Sequence, residues 1–365
     1  MWKKIDRQLL IITLVLVIAG FFIFMSAALG LLARSGASLS SVAFNQLVFG
    51  LGLGVLALFA TTSIHYRFWK KYALYIFLFT LAVTLLVFIP GLGLSFGGAT
   101  RWLQLGPLPS FQPTEILKLG FVIYFAAWLS ANRDHVKTFS FGTIPFLVLL
   151  SIVGGVVLAQ PDTGTFMVIA AAGIAMYIAA GARWRHIFSL GGIMLAGLAT
   201  LAFLRPYVKD RIMTFLDPSN DPMGVSYQIQ QSLIAIGSGG WFGRGFGQSI
   251  QKFNFLPEPI GDSIFSVAAE EFGFIGALLL ITLFILFAIR GLKIASRTPD
   301  QFGGLLAVGI VILIVSQSFI NIASMLGVLP LTGVPLLFIS HGGTALFLAL
   351  AEVGIILNIS RYQKV

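Results

Sequence analysis

The chain contains no cysteine, which excludes disulfides, thiol nucleophiles and thiolate metal sites. Acids are scarce too: 13 Asp and Glu in 365 residues, against 23 Lys and Arg. Charged residues make up 10% of the sequence, where a soluble domain carries about 25%. A soluble fold is therefore excluded. No stretch reads as a linker, a low-complexity tract or a separate soluble domain.

What the chain has instead is hydrocarbon. Hydrophobic residues are 58% of it, and the mean hydropathy is +0.96. A membrane-spanning helix needs roughly 20 mostly apolar residues. Ten segments qualify: 9–32, 42–64, 73–90, 113–129, 144–158, 163–182, 187–204, 264–289, 302–326 and 336–359. The expected fold is an all-α integral membrane protein, a bundle of about ten transmembrane helices, with residues 1–365 forming a single polytopic membrane domain. The first segment follows a basic start, "MWKKIDR". Its apolar run is too long for a signal peptide, so it reads as an uncleaved first span.

Alternating the loops across the membrane puts 15 of the 23 basic residues on one side: Lys3, Lys4, Arg7, Arg67, Lys70, Lys71, Arg133, Lys137, Arg183, Arg185, Arg290, Lys293, Arg297, Arg361 and Lys364. The positive-inside rule makes that side cytoplasmic, and an even number of spans places both termini there. This accounts for most of the net charge of +10, so nucleic acid is not an expected partner. The acids sort the other way: Glu115, Asp162, Asp210, Asp217, Asp221, Glu258 and Asp262 fall on or near the outer side. So does the one large loop, 205–263, between spans 7 and 8.

Four outer passages carry candidate chemistry. In "RWLQLGPLPSFQPTEILK", Pro113 suits the first turn of a helix, and Glu115 and Lys118 share a face at i and i+3. They are either a structural ion pair or the lining of a polar cavity. Arg101 and Trp102 are either interface anchors or, for Arg101, a phosphate clamp. In "QPDTGT", Asp162 caps the next helix or places an acid at cavity depth. In the large loop, 227–236 spaces apolar residues as a helix lying in the interface. The glycine-rich run after it follows no strand and is no dinucleotide fingerprint; Arg211, Arg244 and Lys252 are nearby cations.

"FNFLPEPIGDSIFSVAAEEFG" then gathers four acids in an acid-poor chain. Asp262 caps the eighth span or acts chemically. Glu270 and Glu271 lie deeper, where a carboxylate needs a partner. In "ISHGG", His341 has no acid beside it and reads as structural.

Taken in order, "RWLQLG", "FQPTEILK", "QPDTGT", "YQIQQSLIAIGSGG", "GRGFGQSIQK", "LPE" and "GVLPLTGVPLLFISHGG" resemble the SEDS proteins, the RodA/FtsW/SpoVE group. "FGQSIQK" running into "FNFLPE" is closer to FtsW than to RodA. Two departures are local: Gly261-Asp262-Ser263 stands where the family reads Thr-Asp-Phe, and Ser340-His341-Gly342-Gly343 where it reads Ser-Tyr-Gly-Gly. The resemblance implies a peptidoglycan glycosyltransferase of the bacterial cytoplasmic membrane that polymerises lipid II, with a class B penicillin-binding protein as partner. It places the catalytic acid on Asp262 and cavity residues on Arg101, Glu115, Lys118 and Asp162.

The expected mechanism makes Asp262 a general base, with undecaprenyl pyrophosphate leaving. Arg101, Lys118, Arg211, Lys252 or a divalent cation (Mg²⁺ or Mn²⁺) stabilises the leaving charge. No cofactor is required beyond such an ion, for which Glu115, Asp162 and Asp262 are candidate ligands. A lipid II flippase is the competing reading, and a scaffold that only recruits its partner is a third. Against the flippase, the ionisable residues collect on the outer side rather than at the midplane.

Overall fold

The computed structural model describes residues 5–33, 39–96, 99–104, 106, 110–217 and 226–363. Lys3, Lys4, Asp221 and Lys364 lie outside the described residues.

The ten apolar segments fold as helices: α1 Arg7–Leu32, α2 Leu39–Ser63, α3 Ala73–Phe88, α4 Pro113–Ala131, α5 Phe139–Ala159, α6 Thr163–Ala179, α7 Trp184–Leu204, α10 Ile264–Arg297, α11 Gln301–Met325 and α12 Gly343–Ser360. Eight are long and apolar enough to cross a membrane, and α3 and α6 are shorter. Helix starts are set locally. Asp6 accepts from the N–H of Leu9 at 2.9 Å, Asp300 from that of Gly303 at 3.3 Å, and Pro113 opens α4.

The bundle is built around α11 and α12, the most buried helices. Polar side chains join neighbours where hydrocarbon offers no hydrogen bonds. Thr61 of α2 bonds Ala351 O of α12 at 2.9 Å, and Asn358 bonds Thr62 O at 2.7 Å. At that end Arg290 grips Asp6 through two nitrogens, at 2.6 and 2.9 Å. By contrast α7 buries only His186 and Leu190 and stands off the bundle.

Three features depart from the expected pattern. First, the last span starts at Gly343 rather than 336. Pro330 and Pro335 cannot complete a helix ladder, and Gly327, Gly333 and Phe338 hold positive φ. Residues 328–342 therefore form a non-helical segment packed into the bundle. Second, a two-stranded hairpin, β1 Gly93–Phe96 and β2 Ala99–Leu103, precedes α4 and carries Arg101.

Third, residues 205–263 contain more than loop. Helix α8, Pro206–Leu216, leads to α9, Tyr227–Ser238. The sequence suggests that this second helix lies in the interface; the structure shows it packed alongside the first turns of α10, where Gln228 bonds Ser263 Oγ at 3.0 Å and Gly239 abuts the backbone of Ala269.

There the chain turns beside a break in α10. Gly273 has φ 67° and ψ −167°, a region open essentially to glycine alone. The turn completes the broken ladder. Arg244 and Gly245 N–H donate to Glu270 O and Glu271 O at 3.0 Å each, and Phe274 and Ile275 donate to Gly240 O and Trp241 O at 2.8 and 3.2 Å. Irregular backbone is tolerated in a membrane protein when buried this way. The chain then returns along α10 and ends at Asp262.

Candidate functional site

Asp262 lies at the end of that return. The turn before it is tight, with Gly261 and Ser263 N–H both donating to Glu258 O, at 3.0 and 3.2 Å. Ser263, not Asp262, sits next to α10, and no side chain caps that helix. The Asp262 carboxylate therefore has no capping duty. Across from it runs Gly333, with φ 72°. A Cβ on Gly333 would stand 3.4 Å from Asp262 Oδ2 and 3.9 Å from Arg101 Nη1. Bare backbone thus forms the floor between an acid and a cation.

Arg101 is held from behind. Its Nε donates to Gln160 O at 3.1 Å and its Nη2 to Pro161 O. Arg211, on α8, reaches Thr163 Oγ1 at 3.4 Å and Thr332 O at 3.3 Å. Asp162 caps α6, accepting from the Thr165 N–H at Oδ1 (3.1 Å) and from the Thr165 hydroxyl at Oδ2 (2.8 Å), and Gln112 Nε2 donates to the same Oδ2 at 3.3 Å. Thus Asp162 is both a cap and an acid at the site.

These charges act on one another without pairing. Among the described residues the ion pairs within 4 Å lie elsewhere. Burial pushes the Asp262 carboxyl up to about 6, with Glu258 and Asp162 adding to the rise and Arg101 and Arg211 opposing it. Burial also pulls Arg211 below its ordinary value, and Arg101 adds to this by like-charge repulsion. Two guanidiniums thus share the site with no carboxylate within ion-pairing distance among the described residues, and planar guanidinium forks match the geometry of carboxylate and phosphate.

Other expected residues go elsewhere. Lys118 Nζ meets Glu115 Oε1 at 2.8 Å and also donates to Gln317 Oε1, with Glu352 of α12 nearby. Glu115 and Lys118 are both buried; they form a closed pair within the bundle and do not meet Asp262. Lys252 is fully buried. Its ammonium has three protons and three partners: Glu271 Oε1 at 2.7 Å, Gly247 O at 2.8 Å and Ser26 Oγ at 3.1 Å. Glu271 also accepts from Ser26 Oγ at 2.6 Å. Glu270 takes Ser249 Oγ at 2.6 Å, the N–H of Ile250 at 3.0 Å and Arg244 Nε at 3.3 Å. Two of the four clustered acids thus fasten the return strand to α10 and α1. His341 stacks on Phe24 with ring centroids 5.9 Å apart.

The metal candidates do not form a complete ligand set. Among the described residues no group of three His, Asp or Glu could hold an ion. Glu115 is committed to Lys118, which leaves Asp162 and Asp262, mutually coupled, as the carboxylates beside the cations. Sequence reasoning missed Tyr207, whose buried hydroxyl has no hydrogen-bond partner among the described residues and which feels Arg211, Arg101 and Asp162. It also missed Gln112 and Gly333. The legible signals were small: a tyrosine two residues into α8, and a glycine after Thr332 in a run bounded by Pro330 and Pro335.

Comparison with known proteins decides the family. Residues 7–365 match the model of the FtsW/RodA/SpoVE cell cycle proteins. The chain belongs to the FtsW/RodA/SpoVE family. It is 39% identical to stage V sporulation protein E of Bacillus subtilis over 98% of both chains. It is 42% identical to the probable peptidoglycan glycosyltransferase FtsW of Geobacter sulfurreducens, over 86% of this chain and 83% of that one. Among solved structures, a chain from a peptidoglycan synthase complex that coordinates polymerization and crosslinking superposes with a TM-score of 0.82 at 29% identity, over the full length of both chains. The Thermus thermophilus rod shape determining protein RodA gives 0.71 at 28% identity, covering all of this chain and 99% of that one. The family member is a multi-pass membrane protein, and its hairpin, α8 and 328–342 segment converge on Asp262.

Proposed function

We propose that this family member is an inverting peptidoglycan glycosyltransferase that polymerises lipid II at the outer face of the bacterial cytoplasmic membrane, with both termini in the cytoplasm. The observation that carries the reading is an uncommitted Asp262 carboxylate, raised to about 6, set across Gly333 from Arg101 and within the field of Arg211. Relatives named as glycosyltransferases support the reaction class.

In this reading Asp262 takes the proton from the 4-OH of the acceptor GlcNAc. A base whose value lies near the working pH is ionised at neutrality and still accepts a proton well. The oxygen attacks C1 of the donor MurNAc, forming the new C1–O4 bond. The bond from C1 to the phosphate oxygen breaks, its electron pair leaves with undecaprenyl pyrophosphate, and the anomeric centre inverts. A pyrophosphate needs no protonation to leave; it needs its charge held, which is the work of Arg101 and Arg211. Asp162 or Asp262 would be the carboxylate to hold a divalent cation here, and such an ion would add to that charge stabilisation. Glu115, Lys118 and Lys252 act as internal supports in this scheme rather than as substrate ligands. A class B penicillin-binding protein is the proposed partner, in keeping with the synthase complex that this chain resembles.

The test uses purified protein in complex with that partner, lipid II, and Mg²⁺ or Mn²⁺. Wild type is expected to make glycan strands resolvable on a gel, and Asp262→Asn to make none while melting at the wild-type temperature. Full turnover by Asp262→Asn would sink the base assignment. Labelled lipid II crossing vesicles without strand formation would favour the flippase.

A further inference from the structure

Three consecutive carbonyls carry Asp262, and each accepts a hydrogen bond from one wall of the bundle. Ile260 O accepts the N–H of His341 at 2.7 Å. Gly261 O accepts the hydroxyl of Ser340 at 2.8 Å. Asp262 O accepts the side-chain amide of Asn321 at 2.8 Å.

Asn321 differs from the other two donors. Its second amide proton goes to Val334 O, also at 2.8 Å. Both neighbours are carbonyl oxygens, so only the NH₂ end can face them, and chemistry fixes the orientation of the amide. Val334 follows Gly333, the residue whose backbone faces the Asp262 carboxylate. One planar group thus ties the residue that bears the acid to the floor opposite it.

Few side chains can replace it. Aspartate would turn an acceptor toward two acceptors, serine brings one proton instead of two, and leucine brings none. Asn321 is buried and sits on α11, among the most buried helices, so the group that does the spacing is itself rigidly mounted.

We propose that Asn321 is the positioning residue of the site: by bonding both strands it sets the gap between the Asp262 carboxylate and Gly333, and so the place of the base relative to Arg101. The inference rests on Asp262 being the base, as proposed above.

Ser324 supplies the control. One turn along α11, its hydroxyl lies 2.8 Å from Ile320 O of its own helix and 2.9 Å from Pro330 O of the same non-helical segment, with one proton to share between them; among the described residues it makes no bond to the segment that carries Asp262. The experiment compares wild type, Asn321→Leu, Asn321→Ser, Ser324→Ala and Asp262→Ala as complexes with the partner transpeptidase. Initial rates are measured against lipid II concentration, and melting temperature is measured in detergent.

A shift of about 1 Å in a reacting group costs up to roughly 100-fold in rate. Asn321→Leu is therefore expected to lower kcat by about 10- to 100-fold with KM within about twofold of wild type. Asn321→Ser, with one donor left, is expected to fall between. Ser324→Ala is expected to lose melting temperature while keeping kcat. A wild-type kcat in Asn321→Leu overturns the inference, as does a kcat loss matched by Ser324→Ala at equal loss of melting temperature. If Asn321→Leu does not fold, Asn321→Ser decides by the same split of kcat from KM. Asp262→Ala separates the two claims. Its full turnover overturns the base reading and this inference together; an inactive Asp262→Ala beside a normal Asn321→Leu overturns the inference alone.

Discussion

Replacing Lys252 with Met would test whether this lysine is a support or a ligand. The change keeps most of the apolar stem and removes the ammonium. In the native protein the ammonium and the Glu271 carboxylate meet at 2.7 Å, with side-chain exposures of 0% and 1%. After the change Glu271 keeps the Ser26 hydroxyl and the N–H of Ser249 but has no cation. Leaving one charge of a buried pair without its partner costs about 3–5 kcal/mol, a large part of the about 5–15 kcal/mol that holds a typical domain folded.

The return strand between the α9 turn and Asp262 is fastened by this pair, so the loss should appear as a lower melting temperature and as lost activity. The double variant Lys252→Met/Glu271→Gln has no charge to strand. It should recover most of the stability, because the neutral amide still bonds the Ser26 hydroxyl. Thermal unfolding in detergent and glycan synthesis, measured on wild type, the two single variants and the double variant, make the check. A Lys252→Met protein as stable as wild type would refute the reasoning about the buried pair. A stable but inactive double variant would refute the assignment of Lys252 as a support, and return it to the substrate.

Three further outcomes are expected. The rate of glycan synthesis should fall with acid along a limb centred near pH 6, where Asp262 takes its proton; a flat profile from pH 7 to 5 would oppose the base role. The sign for stability is opposite: a carboxyl raised in the folded state binds its proton more tightly there than in the unfolded chain, so acidification from 7 toward 4 relieves a cost while activity declines. Gly333→Ala should lower turnover, because φ 72° costs an L-residue about 1–2 kcal/mol and its methyl would come into van der Waals contact with Asp262 Oδ2 at 3.4 Å; wild-type rates would show that the floor is not part of the site. Gly273→Ala should prevent stable folding, since its Cβ would lie 2.3 Å from Gly243 N; a wild-type melting temperature would refute the packing of the glycine turn against the break.

Much of this protein was written in the order of its residues. The apolar runs mark the spans, because burying a helix in hydrocarbon needs only length and side-chain chemistry. Local signals set the helix starts: Asp162 and Asp300 as caps, and Pro113 in a first turn. The family motifs pick out Arg101 and Asp262. For Asp162 and for the Glu115–Lys118 pair, sequence left two readings open, since a carboxylate that caps or pairs looks the same along the chain as one that meets a substrate.

Tertiary contacts show which partners the charged groups take. Asp262 escapes capping because Ser263 takes the position beside α10, and Lys252 is consumed by Glu271, 19 residues away. The path of α9 beside α10 depends on Gly239 and Gly243 meeting a break at Gly273, which no periodicity reveals. Residues 336–342 read in the sequence as the start of a span, yet they belong to the non-helical segment 328–342, whose prolines and positive-φ positions make it the wall that faces the acid. Asn321 is an ordinary polar residue in an apolar helix until the carbonyls of Asp262, 59 residues before it, and Val334, 13 residues after it, both reach its amide. Hydropathy and capping act over neighbouring residues and are legible in sequence. The gap between Asp262 and Gly333 is set by groups dozens of residues apart, and only the folded chain brings them together.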